Sequence, residues 1–325
     1  MPTTPFALAL GLEDAALLAE LEAPALTAAL TRRVQIAERA GLTAVTFDEA
    51  PLATDTRPAG VDAVQRAAFV APLTRAIGLI PVTRPAYAEP FHVATQLASL
   101  DWASGGRAGW WPDADSSARE AQAAGQEPLS ATARAGERDD AIEVSRRLWD
   151  SWEDDAVITD VSSGRYLDAD RLHYVDFAGA RYTVKGPLIT PRPPQGQPVV
   201  IGEVGAEGLD VAIVDAAADA DLIEAARAAG AARVWARVRA DVLPRGRAET
   251  LAATLRELAR VVDGVHLTVL DDDLDGAIGQ IARIVVPALD RDGGIVRAAP
   301  RPGATLRDAL GLVRPSNRYA QREIA

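Results

Sequence analysis

Residues 77–111, IGLIPVTRPAYAEPFHVATQLASLDWASGGRAGWW, decide the fold of this chain. The apolar run 77–82 is a strand that ends at Arg84-Pro85. Glu89-Pro90 then opens a helix, because proline is preorganised for a first turn and glutamate suits its positive end. Phe91, Ala94, Leu97, Ala98 and Leu100 recur at helical spacing, and Gly105-Gly106 stop the helix before Arg107 begins a second strand. Strand, helix, strand in this order is a βαβ unit. Such units build parallel sheets whose ligand sites lie at the carboxyl ends of the strands. The loop at 83–88 and the one starting at Trp111 both leave that end.

The same alternation extends outward in both directions. The pattern predicts strands over 6–11, 44–48, 76–82, 107–111, 198–203, 219–223, 233–240 and 264–270. Helices are predicted over 25–40, 62–72, 90–104, 138–153, 208–216, 225–229, 248–262 and 274–289. Eight strands alternating with eight helices point to an α/β fold, a (β/α)8 TIM barrel; a doubly wound open sheet is the alternative. Between 158 and 194 the alternation breaks. Residues 172–177 and 180–184 flank Ala178-Gly179 as a small hairpin, and Pro187, Pro191, Pro193 and Pro194 form a stiff connector. The organisation expected is one barrel domain over 1–290, with an insertion at about 157–197 after the fourth helix. A tail over 291–325 carries one short helix signal at 305–312, read as a strap across the barrel or as a dimer contact.

Composition narrows the chemistry. In 325 residues the net charge is −12, which repels nucleic-acid and anionic-membrane partners. There is no cysteine, so disulfides, thiolate metal sites and cysteine nucleophiles are excluded, and three histidines make a multi-histidine metal site an unexpected one. No basic residue precedes Arg32 and no window is long enough to span a bilayer, so a cytoplasmic location is expected. A Gly-x-Gly-x-x-Gly turn after the first strand, a P-loop and a Gly-x-Ser-x-Gly elbow are all missing. The paired carboxylates (Asp139-Asp140, Glu153-Asp154-Asp155, Asp271–Asp273) fall at helix ends or turns and read as solvated charge. No residue is assigned a catalytic role.

Four segments taken together, 77–110, LWDSWEDDAVITD (148–160), HYVDFAGARYTVKGPLITPRPPQGQPVV (173–200) and TLRDALGL (305–312), resemble the bacterial luciferase-like flavin-dependent monooxygenases. The similarity is to the branch with nitrilotriacetate and dibenzothiophene-sulfone monooxygenases. The resemblance implies a (β/α)8 barrel, reduced FMN delivered by a separate flavin reductase, molecular oxygen, a small organic substrate, and pairing as a homodimer or heterodimer. It also implies roles for single residues. Asp48 matches an acidic residue near the flavin ring at the end of the second strand, and Trp110 matches the family's Gly-Trp. His92 falls in a region of histidine or tyrosine at the start of the third helix.

The chain departs from that family where the phosphate is held. Relatives carry a Ser/Thr-rich loop after the third strand, where Arg84-Pro85-Ala86 stands. They carry Asn and then Thr-Ser after Gly-Trp, where Trp111-Pro112-Asp113-Ala114-Asp115 stands. Gln-Ala-Gly-x-Ser after the fifth strand is replaced by Gly202-Glu203-Val204-Gly205-Ala206. A carboxylate about 4 Å from one phosphate charge costs roughly 4 kcal/mol at an effective dielectric near 20. Arg84 could hold the phosphate by a bidentate contact, Gly205 could offer a backbone N–H, and Trp111 could wall the cavity. Three functions stay open: an FMN-dependent monooxygenase, a flavin-free paralogue serving as a heterodimer partner subunit, and an F420-dependent oxidoreductase.

Overall fold

A computed structural model describes residues 4–12, 23–48, 60–291 and 295–320. Part of the expected tail, 292–294 and 321–325, lies outside the described residues. Eight parallel strands close into a barrel: β1 (Ala7–Leu12), β2 (Ala44–Phe47), β3 (Gly78–Thr83), β4 (Gly109–Pro112), β5 (Val199–Glu203), β6 (Val211–Asp215), β7 (Arg233–Ala240) and β8 (Gly264–Val269). Each strand pairs with its neighbours in sequence, and β8 returns to β1 with Ala7 beside Gly264 and Gly11 beside Thr268. The chain therefore folds as the expected TIM barrel.

The outer layer contains α1 (Ala23–Arg39), α2 (Ala63–Val70), α3 (Pro90–Ser104), α4 (Ala131–Asp150), α5 (Ala220–Ala228), α6 (Arg245–Leu258) and α7 (Leu274–Gln280). The opening stretch behaves as its residues dictate. The Glu89 carboxylate accepts from the backbone N–H groups of Phe91 and His92, and Gly105 ends α3 with φ of 67°. One expectation is overturned. The helix predicted over 208–216 contains strand β6, and the strand predicted over 219–223 is the first turn of α5. Val211-Ala-Ile-Val is a β-branched run that pairs on both sides, whereas Asp219 caps α5 by accepting from Leu222 N–H. No described helix lies between β5 and β6.

Between α4 and β5 the chain forms two small hairpins. Phe177–Ala178 pairs with Thr183–Val184, as the Ala178-Gly179 signal predicts. Val157–Asp160 pairs with Arg165–Leu167, a hairpin the sequence reading did not find.

The barrel floor is filled from the tail. Ala7, Ala44, Gly78, Gly109 and Gly264 leave space inside the lower barrel that Trp235 of β7 and Leu306 of the short helix Leu306–Ala309 fill. A Cβ at Gly78 would come within 2.7 Å of Leu306, and one at Gly264 within 2.8 Å of Trp235. Leu306 N–H donates to the Gly106 carbonyl at 2.9 Å. Beside it the buried Arg307 binds both Asp210 oxygens at 3.0 and 3.1 Å and the Gln197 carbonyl at 2.8 Å. Gln195 ties this strap to α3, donating to Asp101 at 2.6 Å and accepting from Arg307 N–H at 3.0 Å. Leu306→Ala would leave a cavity among these small residues. Its expected cost is about 2–5 kcal/mol of unfolding free energy, read as a lower urea midpoint with an unchanged slope.

Candidate functional site

The carboxyl ends of the strands surround a cavity of about 550 Å³. Alternation along each strand decides what enters it. Trp235 fills the floor and Arg237 and Arg239, two and four residues on, line the mouth. In β8 the same period aims Gly264 at the floor and His266 and Thr268 at the mouth. Gly11, Thr46, Val82, Trp111 and Glu203 complete the wall at the level of these residues, and Asp48, Asp113 and Asp115 rise above it.

A continuous set of contacts crosses the base of the mouth. Glu203 forms an ion pair with Arg237, whose guanidinium lies 5.6 Å from the Trp111 ring centroid. Trp111 meets the His266 ring edge-on, with centroids 5.0 Å apart. His266 Nε2 shares a hydrogen bond of 2.9 Å with Thr46 Oγ1, and the glycine at position 11 makes this possible, since a Cβ there would sit 3.3 Å from the imidazole. His266 Nδ1 is buried and has no hydrogen-bond partner among the described residues. Burial, and then the Arg237 charge, push the imidazole down to about 3, so it is neutral at ordinary pH.

The rim is acidic on one side. Burial holds the Asp113 carboxyl above its ordinary range, with the Asp115 and Asp48 charges adding to the effect. A hydrogen bond from Asp115 N–H and the Arg84 charge act in the opposite direction.

Of the residues singled out in the sequence, Asp48, Trp111, Asp113, Asp115 and Glu203 come together in the mouth. Arg84 lies in a separate cavity of about 470 Å³, where its Nη1 donates to Glu120 Oε1 at 2.9 Å. Trp110 points outward from β4: it is 0 % exposed, meets Trp149 of α4 edge-on, and donates from Nε1 to Thr83 Oγ1 at 2.8 Å. Gly205 sits in the β5–β6 loop with φ of 94°, its carbonyl accepting from Arg138 at 3.4 Å. His92 is exposed at the start of α3. The sequence reading missed Thr46, Arg237, Arg239, His266 and Thr268. A signal for two of them was present, since RVRA at 237–240 repeats arginine every second residue in the second half of a buried strand. Among the described residues no His, Asp and Glu group could hold a metal ion, and no helix is long and apolar enough to cross a membrane.

Residues 15–276 match the sequence model of the luciferase-like monooxygenases. One chain of the pristinamycin IIA synthase of Streptomyces pristinaespiralis is 35% identical over 299 residues, 90% of this chain and 91% of that one. A dibenzothiophene-sulfone monooxygenase of Rhodococcus erythropolis is 38% identical over 135 residues, but that match spans 41% of this chain and 30% of the relative. A solved long-chain alkane monooxygenase superposes with a TM-score of 0.80 at 16% identity, covering 99% of each chain, and so shares the fold.

The neutral imidazole has a measurable consequence. Its folded pKa lies below the unfolded value near 6.5, so His266 contributes stability that is present above about pH 6.5 and is lost as pH falls toward 3. Ring NMR shifts of His266 should stay constant from about pH 5 to 8, and His266→Gln should flatten the loss of stability over the acid range.

Proposed function

The chain belongs to the luciferase-like monooxygenase family, and on that premise we propose that it is one subunit of a two-chain, flavin-dependent monooxygenase acting on a small organic molecule. Reduced FMN, supplied by a separate reductase, is held in this reading by a companion chain of the same fold. The observation that carries the reading is the charge at the ends of β4 and β5. The resemblance puts the flavin phosphate there, and this chain has Asp113 and Asp115 on the cavity wall, with the Glu203 carboxylate paired to Arg237 and Arg84 engaged by Glu120. A dianionic phosphate does not fit that side: each carboxylate at about 4 Å costs roughly 4 kcal/mol per phosphate charge at a dielectric near 20. The acidic tail of F420 meets the same carboxylates. A relative named as a synthase subunit, similar over 91% of its own length, supports the same reading.

In this role the mouth of the chain binds rather than oxidises. Leu12, Val82 and Trp111 supply apolar wall, with Thr268 and the neutral His266 ring beside them. These groups orient a small ligand and keep its apolar part from water.

A second reading, in which the chain holds FMN in its own mouth, is favoured by the cavity itself. Its volume of about 550 Å³ lies at the strand ends where barrel enzymes work. Fluorescence titration separates the two. The purified chain alone should give no saturable FMN signal, oxidised or photoreduced, up to about 1 mM, a dissociation constant worth only about 4 kcal/mol. Micromolar binding, with reductase-coupled oxygen consumption by the lone chain, would overturn the subunit reading in favour of the second.

A further inference from the structure

The order of strands around the barrel arranges the charges of the mouth into two poles. In a closed ring of eight, β7 stands diametrically opposite β3, and β2 and β4 flank β3. Arg237 and Arg239 rise from β7, whereas Asp48 follows β2 and Asp113 and Asp115 follow β4. Glu203 neutralises Arg237, so the basic pole reduces to Arg239, which has no ion-pair partner among the described residues. On the acidic pole Asp113 is half-buried and accepts from Asp115 N–H, while the Arg84 guanidinium beside it is engaged by Glu120. Between the poles the His266 ring, 7 % exposed, forms part of the cavity wall.

A lone anion drawn to Arg239 meets the opposing carboxylates, and a lone cation drawn to Asp113 leaves Arg239 without a counter-charge. A molecule with one charge of each sign satisfies both poles and adds no net charge. We propose that the mouth binds a small zwitterion of amino-acid type, with its carboxylate on Arg239 and its ammonium group on the Asp113 side. The inference rests on the reading that the flavin phosphate is held elsewhere. Trp111 and Val82 form the apolar wall against which the carbon chain of the zwitterion lies.

Calorimetric titration of the full chain with ε-aminocaproate, caproate and hexylammonium tests this, since the three probes share a chain length and differ in charge. The zwitterion should bind at least about tenfold more tightly than either singly charged probe. Arg239→Gln should reduce it to the level of hexylammonium, Asp113→Asn to that of caproate, and Arg239→Lys should restore part of the loss. Arg239 is exposed, so its variants keep the fold, which an unchanged melting temperature verifies. Equal binding of either singly charged probe, or no binding of any probe at roughly 50 mM, would overturn the proposal. Saturable FMN binding to the lone chain overturns the subunit reading instead, so the two failures are distinguishable.

Discussion

A guanidinium taken almost out of water has to be met by oxygen atoms on every side, or the fold cannot bear it. Arg307, 3 % exposed, is met by the Asp210 carboxylate and the Gln197 carbonyl, and Asp210 in turn accepts from Arg146 of α4 and from Val200 N–H of β5. Burial pushes the Asp210 carboxyl up, and the two arginine charges more than reverse it, leaving it below its ordinary range. One buried pair thus joins the tail, the β5–β6 loop, a helix and a strand. Because breaking such a pair leaves an uncompensated charge inside, the strap and the barrel are held as one unit.

With the lower end fixed in this way, the same strands serve two purposes along their length. The lower halves are apolar or small and close around Leu306 and Trp235. The upper halves carry Thr46, Glu203, Arg237, Arg239 and His266 to the wall of the cavity. Polar groups are tolerated there because each charge inside the wall is paired or faces water. His266 is the exception, and it remains in the wall by staying neutral.

The barrel was legible because its signals are local. Glu89-Pro90 and Gly105-Gly106 bound α3 whatever surrounds them. The region after β5 was not, since Gly208–Ala216 is alanine- and valine-rich and only pairing to β5 and β7 makes Val211–Asp215 a strand. Asp113, Asp115 and Glu203 stood out in the sequence by their places at the ends of two strands, and they line the mouth. Arg84 was beyond reach, because its partner Glu120 is brought to it by a short helix at Ala118–Ala123. His266 was beyond reach as well: a lone histidine in an apolar strand acquires meaning only when Gly11, Thr46 and Trp111 gather around it from three other strands.

The floor of the barrel comes from residues that follow β8 in the chain. Strand pairing and interior filling therefore draw on parts of the chain made at different times, since synthesis proceeds at about 5–20 residues per second. A ring lacking Leu306 and Leu310 would have a lower end that faces water, with the apolar faces of Trp235 and Ile80 at its base. Such an opening is the kind of apolar surface that chaperones cover, and seating Leu306 and Leu310 closes it.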